Sequence, residues 1–416
     1  MKKRKIKKII AISGVIGGIL ALNSVKAHAV ELTDDLSNDG HEQNINSRSS
    51  NKGQVVNVDS TYLRIRAAAS TSSEVLGTMI EGTRFNIISK SDQWYQIQYN
   101  DFPTFLRKHF PYKVQKISLN AGFTCPNRDG TKGWGGCTYC NNQTFNPDYC
   151  RTEKSIATQL EEGKCFFAHK YPEMKYLAYF QAYTNTYAEL EGLKRKYEEA
   201  LQVDGVVGLV IGTRPDCMPE ELLQYLEELN RHTFLMVEYG IESASDETLR
   251  RINRGHTYAD TVEAVQRTAA CGILTGGHVI LGLPRETHDT MVEQAGILSA
   301  LPLSTLKIHQ LQLIRGTRMA HEYEENPEGF HLFTEVDEYI DLVIDYVEHL
   351  RPDLVLERFV SQSPKELLIA PDWGLKNYEF VTRLQKRMKE RGAYQGKKYR
   401  DSEKRVIFAE DNFTTE

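Results

Sequence analysis

The sequence predicts an α/β protein, a partial (β/α)6 barrel preceded by a small all-β domain. Three observations carry that reading. After Asp101, strand-like and helix-like stretches alternate, as they do in parallel β/α units. Between Gly53 and Asn100, short stretches of alternating polarity are separated by Ser, Gly, Thr and Asp clusters, the pattern of a small antiparallel barrel. The first strand after Asp101 runs into a glycine-rich loop carrying Cys125, Cys137 and Cys140.

At 416 residues, 40% hydrophobic and 26% charged, the chain is long enough for one large domain and a small one. Its net charge is −5, but residues 1–29 hold seven Lys or Arg and no acid, leaving 44 basic against 56 acidic residues beyond them. No global basic character points to nucleic acid.

Residues 1–29 read as a signal peptide: six basic residues from Lys2 to Lys8, an apolar run from Ile9 to Leu22, and Ala27-His-Ala29 as a cleavage site. An uncleaved anchor is the alternative, although the run is short for a membrane span. Residues 30–52, rich in Asp, Asn and Ser, read as a linker. Residues 53–100 supply the small barrel, 101–350 the larger one, and 351–416 a C-terminal extension ending in a basic tail.

The six strands of the larger barrel are expected at 113–119, 176–183, 206–213, 234–241, 276–282 and 305–313. Pro219 followed by Glu220 and Glu221 marks one helix start, and Thr257 with Asp260 forms a capping box for another. The segment 335–350 repeats apolar residues at helical spacing and should pack outside the sheet.

The cysteines are spaced C-x11-C-x2-C within a loop that holds five glycines between Gly122 and Gly136. Three thiolates around a cube of four irons leave one iron open to a ligand that is not protein. Zinc is the competing reading, but its ligands come as close pairs and the arm from Cys125 to Cys137 is long. Seven scattered cysteines are an odd count and no disulfide framework.

This stretch resembles the cluster loop of radical S-adenosylmethionine (SAM) enzymes in its longer-spaced form. Lys116-Ile-Ser-Leu-Asn-Ala-Gly-Phe-Thr-Cys-Pro-Asn-Arg-Asp-Gly130 resembles more narrowly the bacterial YhcC family, relatives of the elongator catalytic subunit. The likeness runs from about Asp101 to about Tyr399. It implies a 4Fe-4S cluster on Cys125, Cys137 and Cys140, with SAM on the open iron. It further implies reductive cleavage of SAM to a 5'-deoxyadenosyl radical, with the electron delivered by a donor such as flavodoxin or ferredoxin. The substrate is unknown; kinship with the elongator subunit raises RNA, by analogy of fold.

Active sites of parallel β/α folds lie at the C-terminal strand ends. The second strand ends in Gln181, Thr184 and Asn185, where many relatives grip the SAM amino group; a merely structural polar strand end is the alternative. The third ends in Arg214 and Asp216, Arg214 pairing with the SAM carboxylate or with Asp216. Glu238, among apolar neighbours, needs a counter-charge, and with Glu242 and Ser243 it is assigned to the SAM pocket. Gly282, in Gly-Leu-Pro-Arg-Glu-Thr, would admit a flat adenine, with Glu286 and Thr287 opening the next helix. His309, Gln310 and Gln312 form a second adenine-side candidate. His278 and His309 read as satisfied polar residues rather than metal ligands. Cys217 reads as a small buried hydrophobe, with hydrogen donation to a radical as the sharper option.

From Arg383 to Arg405 there are ten basic residues and three acidic, a solvated face or a contact for RNA phosphates. Leu63-Arg-Ile-Arg and Gln93-Trp-Tyr-Gln-Ile resemble bacterial SH3 (SH3b) domains, which implies peptidoglycan as a partner and an exported wall-binding protein as the rival function. The resemblance stops at Asn100, so the small barrel is expected to be incomplete and joined to the enzyme by fusion. Clusters are loaded in the cytosol while the leader directs export, so the iron-sulfur domain is expected to be cytoplasmic.

Overall fold

The computed structural model describes residues 98–168 and 173–400, apart from the side chains at 143, 145 and 168. Before residue 98 it describes only the backbone of short strands, including Leu63–Arg66 antiparallel to Val75–Met79 and Arg84–Ser91 antiparallel to Trp94–Ile97. Of the leader at 1–29 only the backbone of strand Ile19–Ala21, antiparallel to Leu63–Arg66, is described, and most of the linker and the tail beyond Arg400 lie outside the described residues. Among the described residues no helix is long and apolar enough to cross a membrane.

The chain divides into two compact units. One comprises residues 110–346 and 356–383 and holds a curled half-barrel of parallel strands. Its strands are β1 (Val114–Leu119), β2 (Lys175–Phe180), β3 (Val206–Thr213), β4 (Phe234–Glu242), β5 (Leu274–Leu281), β6 (Thr305–Gln310) and β7 (Val355–Arg358). They lie in the order β7-β6-β5-β4-β3-β2-β1. Six strands are expected from the sequence; the seventh comes from Leu354-Val-Leu-Glu-Arg-Phe-Val, at the start of the C-terminal extension. This stretch adds an edge strand beside β6.

Residues of β1 to β4 that alternate outward are fully buried: Ile117, Leu119, Ala178, Phe180, Leu209, Ile211, Val237, Tyr239 and Ile241. Helices Ile156–Ala168, Leu190–Leu201, Glu220–Asn230 and Tyr258–Ala270 follow the first four strands. Helix starts follow local rules. Thr257 and Asp260 form the reciprocal capping box, and Thr287 caps helix His288–Ser299. Pro219 sits one place ahead of helix Glu220–Asn230 rather than inside its first turn. On the inward face Leu177, Val210 and Met236 are also fully buried, while Lys116, Glu238, His278 and Lys307 place an ionic group inside the half-barrel.

In the other unit, Gln395 accepts from the Asn100 amide at 2.9 Å and donates to the Leu354 carbonyl at 2.7 Å. Lys398 meets the buried carboxylate of Glu348 at 2.6 Å, so part of the basic C-terminal segment is already paired.

Candidate active site at the mouth of the half-barrel

The cysteine loop leaves the C-terminal end of β1 and is braced at its root by Gln159. That side chain, fully buried, accepts from Asn120 N and donates to Asn120 O, both at 2.9 Å. The carbonyl of Cys125 then turns the chain by accepting from Arg128 N at 2.8 Å, and Gly136 N returns to Asn127 O at 2.8 Å. Gly135 and Gly136 hold φ of 78° and 76°, left-handed geometry that a glycine pair adopts without steric cost. Cys125 and Cys137 are buried and Cys140 half-buried. Burial pushes the Cys140 thiol up to about 12, and the Cys137 sulfur beside it adds to the shift. Iron bound there would reverse that preference, because a coordinating cation favours the thiolate.

A segment that sequence reasoning passed over packs against this loop. Ile252 O accepts from Thr138 N at 2.9 Å, and Asn253, at φ 53°, donates its side-chain amide to Gly136 O at 2.8 Å. Arg254 places Nη1 3.6 Å from Cys137 Sγ and Nη2 2.7 Å from Gly240 O, with the Glu242 carboxylate at 3.5 Å. Asn127 Nδ2 lies 3.7 Å from the same sulfur. Burial opposes the charge of Arg254, yet Tyr139, Cys137 and Glu242 around it raise its pKa well above the usual value. The signal available in the sequence was Asn253-Arg-Gly255, a turn-forming triplet carrying a cation just before a capping box.

The chain's residues fit a cluster with an exchangeable ligand. The Cys137 and Cys125 sulfurs are near enough to act electrostatically on the Cys140 thiol, two donors point at the Cys137 sulfur, and Arg254 Nε, Asn127 Oδ1 and His256 Nε2 are buried with no hydrogen-bond partner. Among the described residues, no three His, Cys, Asp or Glu side chains gather closely enough to hold a single metal ion. In a four-iron cube each thiolate sits on its own iron, so the sulfurs stand wider apart than the ligands of one ion.

The other residues singled out by sequence fall into distinct places. Arg214 grips Asp216 with two 2.9 Å bonds and gives Nη1 to Arg254 O at 2.8 Å. Burial would raise the Asp216 carboxyl, but Arg214 and Lys132 hold it well below the usual range. Of the two partners offered for Arg214, the structure supplies Asp216. Cys217 lies 3.7 Å from Asp216 Oδ1, and burial pushes its thiol up to about 12. Ser243 turns away from the cysteines and donates to Glu286 Oε1 at 2.6 Å. Gln181, half-buried, accepts from Ser118 Oγ at 2.8 Å, while Asn185 ties Phe180 O to Gly212 O. Gln310 is locked onto the backbone of Ser361.

Two residues assigned to the cofactor have partners within the protein. Gly282 has a φ of 91°, and a β-carbon there would meet the Phe333 ring at 3.0 Å. Glu238 does have the counter-charge its burial demands, but the protein provides it. Lys116 and Lys307 each stand 2.6 Å from its two oxygens, and His278 Nε2 stands 2.9 Å away. Glu357 on β7 completes the set, 2.7 Å from Lys116 and 3.2 Å from Lys307, joining the first strand to the last. Burial opposes ionisation of Glu238, and Lys116, Lys307 and His278 overcome it, holding the carboxyl well below its usual range. His278 is thus a satisfied polar residue, whereas His309 keeps a buried Nε2 without a partner 5.6 Å, ring to ring, from His278.

A cysteine loop at the mouth of a parallel half-barrel, with a buried arginine against one sulfur, defines a radical SAM architecture. The radical SAM superfamily model matches residues 124–295 and the radical SAM C-terminal domain model residues 303–390. The chain belongs to that superfamily, within the family of YtqA and YhcC. YtqA of Bacillus subtilis (strain 168) is 38% identical across 77% of this chain and 97% of its own length. YhcC of Escherichia coli (strain K12) is 34% identical across 70% and 93%. A tRNA uridine(34) acetyltransferase of Methanocaldococcus infernus matches in part, 26% identical across 45% of this chain and 34% of that protein. The solved structure of the archaeal Methanocaldococcus infernus Elp3 shares the fold at a TM-score of 0.50 and 18% identity, covering 68% of this chain and 64% of that one, under two thirds of its length. Members of the superfamily are enzymes that normally bind a 4Fe-4S cluster and SAM. The bacterial SH3 domain model matches residues 61–106, reaching into helix Phe102–His109.

Proposed function

We propose that this chain reductively cleaves SAM at a 4Fe-4S cluster and directs the product radical at a nucleotide of RNA. The observation that carries the first half is the convergence of Cys125, Cys137 and Cys140 beneath the buried Arg254, whose Nε is left without a partner. Bound there, cluster and SAM supply one-electron cleavage of a carbon-sulfur bond and a primary carbon radical.

The residues of the chain do the rest. Cys125, Cys137 and Cys140 would hold the cluster through three of its irons. Arg254 and Asn127 point hydrogen-bond donors at the Cys137 sulfur, which stabilises negative charge on it. The free Nε of Arg254 suits an anionic group such as the SAM carboxylate. Glu242, at the same corner and 3.5 Å from Arg254, suits a hydroxyl or amine. Deeper in the lumen, Gln181 and His309 offer neutral hydrogen-bonding groups, as a nucleobase edge requires. Support for RNA is the partial likeness to a tRNA-modifying protein and the basic run from Arg383 onward. We place the working enzyme in the cytoplasm, with flavodoxin or ferredoxin as reductant.

The test is anaerobic reconstitution of the full chain with iron and sulfide, then incubation with SAM, reductant and tRNA from a strain lacking the gene. Formation of 5'-deoxyadenosine with a mass change in one tRNA nucleoside supports the reading. Deoxyadenosine that persists after all three cysteines become Ala refutes it.

The match to bacterial SH3 domains supports a second reading, an exported protein that holds peptidoglycan through residues 53–100. Failure of the full chain to sediment with purified cell wall would remove it.

A further inference from the structure

The loop that carries the cysteines also carries an exposed tryptophan. Residues 129–134 form a small hairpin, closed by an antiparallel bridge between Asp129 and Trp134 and by Gly130 N donating to Gly133 O at 3.1 Å. Trp134 is 75% exposed, the most exposed of the large hydrophobic side chains among the described residues. It is nonetheless held in place. Its indole lies flat on Gly130, where a β-carbon would come within 2.3 Å of the ring, and its carbonyl accepts from Asn253 at 3.3 Å. Thr131 next to it bonds the Tyr187 hydroxyl at 2.7 Å. Beyond its contact with Gly130 the indole stays in solvent three residues from Cys137, where its apolar surface is available to a partner.

Charge surrounds it unevenly. Arg128 and Lys132 are exposed on the same loop, and Lys196 reaches over the Phe123 ring at 5.8 Å. The acids on or against the hairpin are Asp129, exposed, and Asp216, which is 3% exposed and shared between Arg214 at 2.9 Å and Lys132 at 2.8 Å, two cations to one carboxylate. The patch is therefore positive on a chain whose net charge is −5.

We propose that this hairpin is the docking surface for a small acidic one-electron carrier protein, with Trp134 as its anchor. The inference rests on the function proposed above. With SAM on the open iron of a cluster held by Cys125, Cys137 and Cys140, an electron would arrive from the side of the three thiolates, and the hairpin lies within the loop that carries them. In the step itself one electron leaves the reduced carrier, which is oxidised, and enters the cluster, which is reduced; no atom moves. An aromatic anchor ringed by cations matches an acidic carrier, and long-range attraction speeds the encounter. RNA stacking on the same indole is the competing use of such a platform.

The test uses the full chain, unchanged and as W134A and K196E. Deoxyadenosine formation is driven either by dithionite, which is small and needs no docking, or by flavodoxin with its reductase. Flavodoxin affinity is also measured by anisotropy on the chain without its cluster. Docking predicts that dithionite rates stay the same. It also predicts that the flavodoxin-driven kcat/KM and the affinity fall about tenfold in W134A, with the loss in K196E vanishing at high salt. Equal loss with both reductants, no loss with either, or a loss of RNA binding at unchanged flavodoxin affinity overturns the proposal. Absence of deoxyadenosine from the unchanged chain under dithionite would instead refute the enzymatic reading, and the affinity measurement would still judge the docking surface.

Discussion

Replacing Glu238 by Gln is the most informative single perturbation of the lumen. The carboxylate is 1% exposed and meets three cationic or protonatable groups at 2.6, 2.6 and 2.9 Å. Without its charge, Lys116 and Lys307 must share Glu357, and the lumen carries one uncompensated positive charge. Breaking a buried ionic set in this way costs about 3–5 kcal/mol, because the orphaned ammonium stays desolvated. Adding Lys307→Met restores neutrality, leaving Lys116 with Glu357 at 2.7 Å, and should recover at least about 1 kcal/mol. The assay is urea unfolding of the chain without cluster or SAM, read as a midpoint shift at unchanged slope. A cost below about 1 kcal/mol, or a double variant no better than the single, would show that the four charges do not act as one neutral set. If Glu238 instead served SAM, the loss would appear in SAM affinity and leave the stability of the cofactor-free chain almost untouched.

Gly240→Ala would place a methyl 2.6 Å from both Arg254 Nη2 and Glu242 Oε1. The crowding should cost about 1–3 kcal/mol and push the guanidinium off Cys137, so SAM affinity of the reconstituted protein should fall, measured by equilibrium dialysis. Acid should destabilise the cofactor-free chain through Asp216 and Glu238. Their folded pKa values lie below the unfolded ones, so their contribution is present above about pH 4 and fades as pH drops through the folded values. Glu286 works in the opposite sense, since burial raises its pKa and its ionisation opposes folding as pH climbs past the unfolded value. Urea midpoints across pH 3 to 7 test both: Asp216→Asn should flatten the acid limb and Glu286→Gln should steepen it.

Much of this arrangement was legible because it is local. The C-x11-C-x2-C spacing, the strand periods and the Thr257 capping box each sit within one short window, and each appears in the structure. What escaped comes from distance in sequence. The demand of Glu238 for a partner was readable from its apolar neighbours, but Lys116 and Lys307 arrive from 122 and 69 residues away, and no window contains them. In the folded chain β1 and β6 bring these two cations to the carboxylate, where the sequence offers only a cofactor amine as partner. Arg254 was missed for a related reason. Its surroundings look like an exposed helix connection until Gly240 and Cys137 are brought over it. The last strand, Val355–Arg358, is four residues long after a long helix, too short for its period to show.

The central claim is a cluster held at three corners by this chain and open at the fourth. The direct measurement is electron-nuclear double resonance on the reduced, reconstituted protein with SAM labelled by nitrogen-15 at its amine and carbon-13 at its carboxylate. Coupling of both labels to a single iron is the expected result. A spectrum without either coupling, or iron analysis giving one metal ion per chain, would contradict the account.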